Sequence, residues 1–429
     1  MATAQKTSQG FHYGYLIVLS CIVITCIPVA MVLSCAGIFF SPVSSYFDSP
    51  RAAFALYFSI QNIAMAIMSP IAGKLVNKFD VRIVFSAAVA VIGCTFLAMS
   101  FFTAIWHFYI AGVLLGMSVA PLVILATPYL INAWFKVRNG FFVGLCMAFT
   151  GIGGIIFNPI GTMFIQSAPD GWRTAYLIFG GIALIATLPF TLFVVRDNPR
   201  DMGLLPYGAS SSTDAQEQAS ESSAADANEG MTADQAMKTP SFYAAAAFAF
   251  FILLCMQIYQ YLPSYCASFQ AAAPQIAALS GLIASASMAG QAIGKVLLGV
   301  VNDKSAFAGL IFGVVSGLIG VTCMCFLPTQ AIILLAGAFL FGFEYASNNV
   351  QVPMLTRTIF GPRDYPNIYS RVAAVGTAGG VVGPILYGVI VDMPGGFNIM
   401  FAVSGACMII ACLLGVLGLR QAKNLRADR

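Results

Sequence analysis

Lys295 and Glu344 are the two residues of this 429-residue chain whose type and position could do chemistry, because both lie inside long apolar stretches. A charge at mid-bilayer costs roughly 2.5–3.5 kcal/mol on insertion scales, so a chain that keeps one base and one acid there uses them. The lysine offers an anion a point charge with three donors. The glutamate offers a carboxyl that can take up and release a proton. Ser34, Gln61, Asn62, Gln257, Tyr261, Gln291, Tyr345 and Asn349 add polar groups to similar apolar stretches. Gln291 is one helical turn from Lys295 and Asn349 one turn from Tyr345, so each pair shares a face. The bland alternative for every one of these polar groups is helix–helix hydrogen bonding. Nothing in the chain presents a nucleophile, base and acid together, and the two histidines stand apart, so an enzyme is not expected.

The elements that must position these residues are membrane spans. Hydrophobic residues make up 59% and charged residues 8% of the chain, with a mean hydropathy of +0.87. Soluble domains carry about 25% charged residues, so the solvent of this chain is lipid. The net charge of +4 is too small and dispersed for nucleic-acid binding. All eleven cysteines lie in apolar segments, and Cys323 and Cys325 have no His or acid nearby. They read as inert buried thiols, and neither a metal nor a cofactor is expected. Met1 to Gly14 is short and polar, and the apolar run after it is too long for a cleavable signal.

Apolar runs occur at 15–41, 53–72, 83–102, 104–133, 140–166, 174–195, 242–268, 276–301, 306–327, 331–356, 370–391 and 398–419. Each is long enough to cross about 30 Å of hydrocarbon. Only Thr103 separates the third from the fourth; two helices are taken there because the count and the repeat below require them. Apart from Lys295, only Arg51 and Arg173 of the basic residues avoid the termini and even-numbered connections. The positive-inside rule then places both termini in the cytoplasm and makes the protein multi-pass in a cell membrane, inner or plasma. Residues 207–240, rich in Ser, Ala, Gln, Asp and Glu, cannot bury enough surface to fold alone. They read as a flexible cytoplasmic linker between six-helix bundles at 1–206 and 241–429.

The two bundles repeat. Gly73-Lys74-Leu75-Val76-Asn77-Lys78 and Gly299-Val300-Val301-Asn302-Asp303-Lys304 are offset by 226 residues, as are Gly116 and Gly342, and Gly153-Gly154 and Gly379-Gly380. An offset of six spans relates the halves by an axis along the membrane normal. Such folds hold substrate near the midplane, between the halves.

With these landmarks the chain resembles the major facilitator superfamily. The segments 73–78 and 299–304 are similar to its loop signature Gly-x-x-x-Asp-Arg/Lys, with Asn77 replacing the Asp in the first copy and Asp80 the usual later Gly. Trp134-Phe135-Lys136-Val137-Arg138-Asn139-Gly140, Gly171-Trp172-Arg173 and Gly203-Leu204-Leu205-Pro206-Tyr207-Gly208 resemble the oxalate/formate antiporter and monocarboxylate transporter branch. The resemblance implies an all-α membrane protein of twelve transmembrane helices in two pseudo-symmetric halves, working by alternating access. It implies a small organic anion as substrate, with protons or a counter-anion as the coupled species, and a monomer in the bilayer. It also implies a cytoplasmic latch in one state made by Lys78, Arg82, Arg138, Asp303 and Lys304, although topology alone explains the basic members equally well.

Lys295 lies eight residues before Asp303, about 12 Å below the surface, and Glu344 lies thirteen before Arg357, about 20 Å below it. In the branch resembled, the basic residue at the position of Lys295 binds the substrate carboxylate. Glu344 is then either the proton-coupling group or a static counter-ion for Lys295. Oxalate-type members carry a second base in span 11, where this chain has Gly376, and Arg371 reads as a topology charge at the span end. One base implies one carboxylate, and Ala373, Ala374 and Gly376 leave room for a bulky one. The residues expected around it are Gln291, Tyr345, Asn349, Asn62, Gln257, Tyr261 and Ser34. Two rival readings are a neutral or zwitterionic solute, with Lys295 and Glu344 as a structural ion pair, and a non-transporting sensor or scaffold on the same fold.

Overall fold

The computed structural model of the chain describes residues 12–208 and 230–427. Among the described residues, twelve helices are long and apolar enough to cross a membrane. They are α1 Gly14–Ser34, α2 Arg51–Val76, α3 Val81–Met99, α4 Ile105–Trp134, α5 Asn139–Ser167 and α6 Gly171–Val194 in the first half. The second half holds α7 Pro240–Ala267, α8 Ser280–Lys304, α9 Ala306–Phe326, α10 Ala331–Phe360, α11 Tyr365–Val391 and α12 Gly396–Gln421.

The helices depart from regular α geometry where the sequence obliges them to. Pro28 lacks an N–H, and the turn around it, Thr25–Val29, is widened to π geometry. The first span ends at Ser34, and a separate helix Gly37–Tyr46 follows, so the single run expected over 15–41 is two elements. Span α7 tightens to 3₁₀ geometry over Gln257–Tyr261. The division around Thr103 is real. Arg173, at the start of α6, donates to the carbonyls of Ser100 and Phe102 at 2.7 and 2.9 Å and pins the turn between α3 and α4.

The internal repeat is a repeat of contacts. A β-carbon at Gly116 of α4 would run into the carbonyl oxygen of Gln61 on α2, and one at Gly342 of α10 into that of Ser287 on α8. Both partners sit 226 residues apart, as the glycines do. Each half thus brings two backbones together at the same place, which only glycine allows.

The halves meet mainly through α2 with α11 and α5 with α8, at the end of the bundle away from the termini. There Arg51 pairs with Asp392 at 3.5 Å, whose other oxygen accepts from the Ala52 amide at 3.3 Å. Ser59 Oγ donates to Val381 O at 2.7 Å, Asn62 Nδ2 to Gly380 O at 3.1 Å, and Ser285 Oγ to Ile155 O at 3.0 Å. Tyr259 donates its hydroxyl to the Leu33 carbonyl. These hydrogen bonds between the halves lie between that end and the bundle's middle.

The 207–240 segment is ordered at both ends. Tyr207 exchanges backbone hydrogen bonds with Trp134 and Lys136, at 2.8 and 2.9 Å. Thr232 and Gln235 cap a short helix, Ala233–Ala236, which docks on the second half through Met231 N to Phe360 O and Ala233 N to Asp364 Oδ2. The flexible tether expected between them falls on 209–229, outside the described residues.

Candidate functional site

A cavity of about 540 Å³ lies between the halves near mid-depth. Its walls are largely apolar, from residues such as Val29, Phe58, Met65, Met147, Leu253 and Met256. Lys295 of α8 is the one charged residue among those lining it. No ion pair or hydrogen bond to another part of the described chain occupies its ammonium. Gly294 beside it packs on Phe343 and Ala346 of α10, which holds this part of α8 against its neighbour and presents Lys295 to the open side.

Of the polar residues expected around the lysine, Gln291, Tyr345, Asn349, Asn62 and Gln257 line the cavity with it. Two do not. Ser34, the last residue of α1, is buried beside Gly154 of α5, and its carbonyl accepts from Asn158 Nδ2 at 3.2 Å. Tyr261 is fully buried and gives its hydroxyl to the Pro384 carbonyl, with its ring against Phe40 at 5.2 Å. An α-helix would have put Tyr261 on the face of Gln257. The 3₁₀ turn winds about 20° more per residue, which over four residues carries Tyr261 about 80° further from that face; Tyr259 lines the cavity instead and meets the Tyr345 ring at 4.9 Å.

Thr25, Thr150, Thr377 and Asn348 line the cavity without having been anticipated. A hydroxyl in an apolar helix satisfies itself on a carbonyl one turn back, as Thr377 does on Ala373 at 3.0 Å, and so carries no sequence signal. Asn348 had a signal, since it adjoins Asn349.

Of the two readings of Glu344, the static counter-ion for Lys295 does not fit the structure. Glu344 is fully buried, does not line the cavity and makes no ion pair with Lys295. A β-carbon at Gly317 of α9 would lie 2.6 Å from Glu344 Cβ, and neither carboxylate oxygen has a hydrogen-bond partner. Sequence arithmetic put the two charges about 8 Å apart in depth, and depth does not fix direction around a helix. Tyr345 and Asn349 take the cavity face of α10, and Glu344 takes the face toward α9. Gly376 differs in the same way: a β-carbon there would lie 3.2 Å from Ala249 Cβ on α7, while α11 meets the cavity through Thr377 and Gly380.

The five residues expected to form a latch lie at the end of the bundle that carries the termini. Arg82 pairs with Asp80 at 2.7 Å, and Asp80 also caps α3 by accepting from the Arg82 amide. This bonding holds the Asp80 carboxyl below the usual carboxylate range. Lys78 lies 5.6 Å from the Phe79 ring, and Arg138 precedes α5 with φ 56°. Asp303 and Lys304 end α8, exposed. Among the described residues, Lys78, Arg138, Asp303 and Lys304 form no ion pair. Among the described residues, the ionic link between the halves is Arg51 with Asp392, at the other end.

Twelve spans in two repeated halves around a central cavity define a membrane carrier. The sequence model of the Major Facilitator Superfamily matches residues 22–280 and 276–427. The chain belongs to that superfamily; it is a multi-pass transporter and not an enzyme. It is 24% identical over 440 residues to monocarboxylate transporter 12 of Xenopus laevis, covering 98% of this chain and 91% of the relative. It is 24% identical over 339 residues to the uncharacterized MFS-type transporter YhjX of Escherichia coli (strain K12), covering 78% of each. In fold it is similar to the crystal structure of the nucleoside transporter NupG, with a TM-score of 0.70, 11% identity, and coverage of 95% of this chain and 99% of that one.

Proposed function

We propose that the protein carries a small monocarboxylate across a cell membrane by alternating access, with Lys295 holding the carboxylate. One observation carries this reading: a single cation, with no carboxylate paired to it, faces an otherwise neutral cavity. A cation in that setting favours an anionic ligand, because the ligand supplies the counter-charge that the wall lacks. Gln291 and Asn349 extend the polar patch, and the apolar walls suit the hydrocarbon part of the substrate. A neutral or zwitterionic solute would need an acid near Lys295, and Glu344 is turned away. The relatives named monocarboxylate transporters favour the same class. With the termini cytoplasmic, as the basic residues direct, the cavity opens inward.

A thermal-shift screen of mono- and dicarboxylates on the purified protein tests the assignment. A ligand at one hundred times its Kd stabilises by about 2.7 kcal/mol. Lys295→Gln keeps a donor but removes a charge-assisted bond of about 1.5–3 kcal/mol, and most of that shift should vanish. A monocarboxylate that shifts both proteins equally refutes the role of Lys295. In proteoliposomes, uptake that answers an imposed pH gradient identifies proton symport, and uptake that answers only internal anion identifies exchange.

A further inference from the structure

Glu344 begins a file of buried polar side chains along the α9–α10 seam. Glu344, Ser347 and Gln351 are spaced three and four residues apart and so share one face of α10. Opposite them α9 has Gly317, Gly313 and Gly309 in register. A β-carbon at Gly317 would meet Glu344, one at Gly313 would strike Ser347 Oγ, and one at Gly309 would strike both Asn302 Oδ1 and Gln351 Nε2. The two amides therefore meet over Gly309. Asn302 is 5% exposed and Gln351 1%, and all four of their amide atoms lack a partner, as do both oxygens of Glu344. Asn302 adjoins the exposed Asp303 at the end of α8, on the side of the termini.

Six buried polar atoms without partners along one line are not a packing accident. Each costs about 1–3 kcal/mol when unsatisfied, and a native fold keeps such groups for a reason. The glycines of α9 make room for these side chains, and their donors and acceptors suit water and its protons.

We propose that Glu344 is a proton-binding site reached from the termini side along Asn302, Gln351 and Ser347, by a route separate from the substrate cavity. Water held by the two amides and the hydroxyl relays the proton. An O–H bond forms on a Glu344 oxygen as an O–H bond of the adjacent water breaks, and the charge deficit passes out to bulk water at Asn302. No oxidation is involved. The ionisable groups around the carboxyl are Cys255 of α7, Tyr387 of α11 and Cys407 of α12 beside Cys255, with Tyr345 next to it on α10. α9 presents Gly317 to Glu344. None of these groups is a base that would hold the proton permanently. The route goes beyond the carboxylate reading and shares none of its residues with the cavity, so either can fail alone.

Infrared spectroscopy on the full-length protein in nanodiscs tests it without a substrate. The acid-form C=O stretch of Glu344 is the band lost in Glu344→Gln across a pH series. Its shift on transfer to D₂O times proton access. Gln351→Met and Ser347→Ala each remove a link, and each should slow that exchange by on the order of tenfold, the kinetic equivalent of one lost hydrogen bond. Ser347→Ala adds no bulk, so it reads out even where Gln351→Met fails to fold. An unchanged exchange rate in Ser347→Ala and in folded Gln351→Met overturns the route. A spectrum in which Glu344→Gln removes no titrating band overturns the site.

Discussion

Closure of the end away from the termini rests on Arg51 and Asp392, and loosening that pair should open it by a predictable amount. The charges are 3.5 Å apart, with side chains 28% and 27% exposed. At that distance Coulomb's law gives about 1.2 kcal/mol in water and about 5 kcal/mol at an effective dielectric of 20. Partial exposure and the ordering of two side chains leave about 1 kcal/mol, a factor of about five in the opening equilibrium. Arg51→Gln and Asp392→Asn should each produce that factor, and the double variant no more than either alone, because one interaction is lost in all three. Asp392→Ala should do more. It also strips the acceptor from the Ala52 amide, and a further ~1 kcal/mol for that bond brings the factor to about thirty. Amide hydrogen exchange at the start of α2 reads the opening free energy directly. If the two single variants add in the double, or if none changes exchange there, the pair does not hold the halves together and the reasoning fails.

Gly37 should act on the same equilibrium by sterics: a β-carbon there would lie 2.5–2.9 Å from the Gln260 backbone on α7. Gly37→Val should force the closed end apart and raise amide exchange over Gly37–Tyr46, whereas unchanged exchange would mean that the helices slide to accommodate it. The docked segment at 231–237 should be pH-sensitive. The Ala233 amide, then Asn367, hold the Asp364 carboxyl below its usual range. A depressed folded value means that docking is fully stabilised above the ordinary aspartate range and weakens as pH falls through the lowered value. Exchange of the Ala233 amide should rise on acidification in the wild type and be already raised in Asp364→Ala. A flat pH profile would exclude Asp364 as the anchor. Lys295→Gln should remove most of the carboxylate-induced thermal shift while leaving the unliganded melting temperature within a few degrees, a separation that scanning fluorimetry measures.

What the sequence determined is what lipid imposes one helix at a time. Hydrocarbon sets the length and hydropathy of a span, so twelve spans were legible. The repeat was legible because close backbone contacts demand glycine at matching positions, as Gly116 on Gln61 and Gly342 on Ser287 show. Lys295 was legible because an unpaired charge in lipid is costly wherever it points. Direction around the helix axis was not legible. It depends on the winding of each turn, which changes at Thr25–Val29 and Gln257–Tyr261, and on which neighbour each face meets. Tertiary packing alone therefore decided that Tyr259 replaces Tyr261 at the cavity, that Arg51 and Asp392 join the halves, and that Glu344 faces the glycines of α9 instead of Lys295. Depth is a property of sequence position, but azimuth is a property of the assembled bundle.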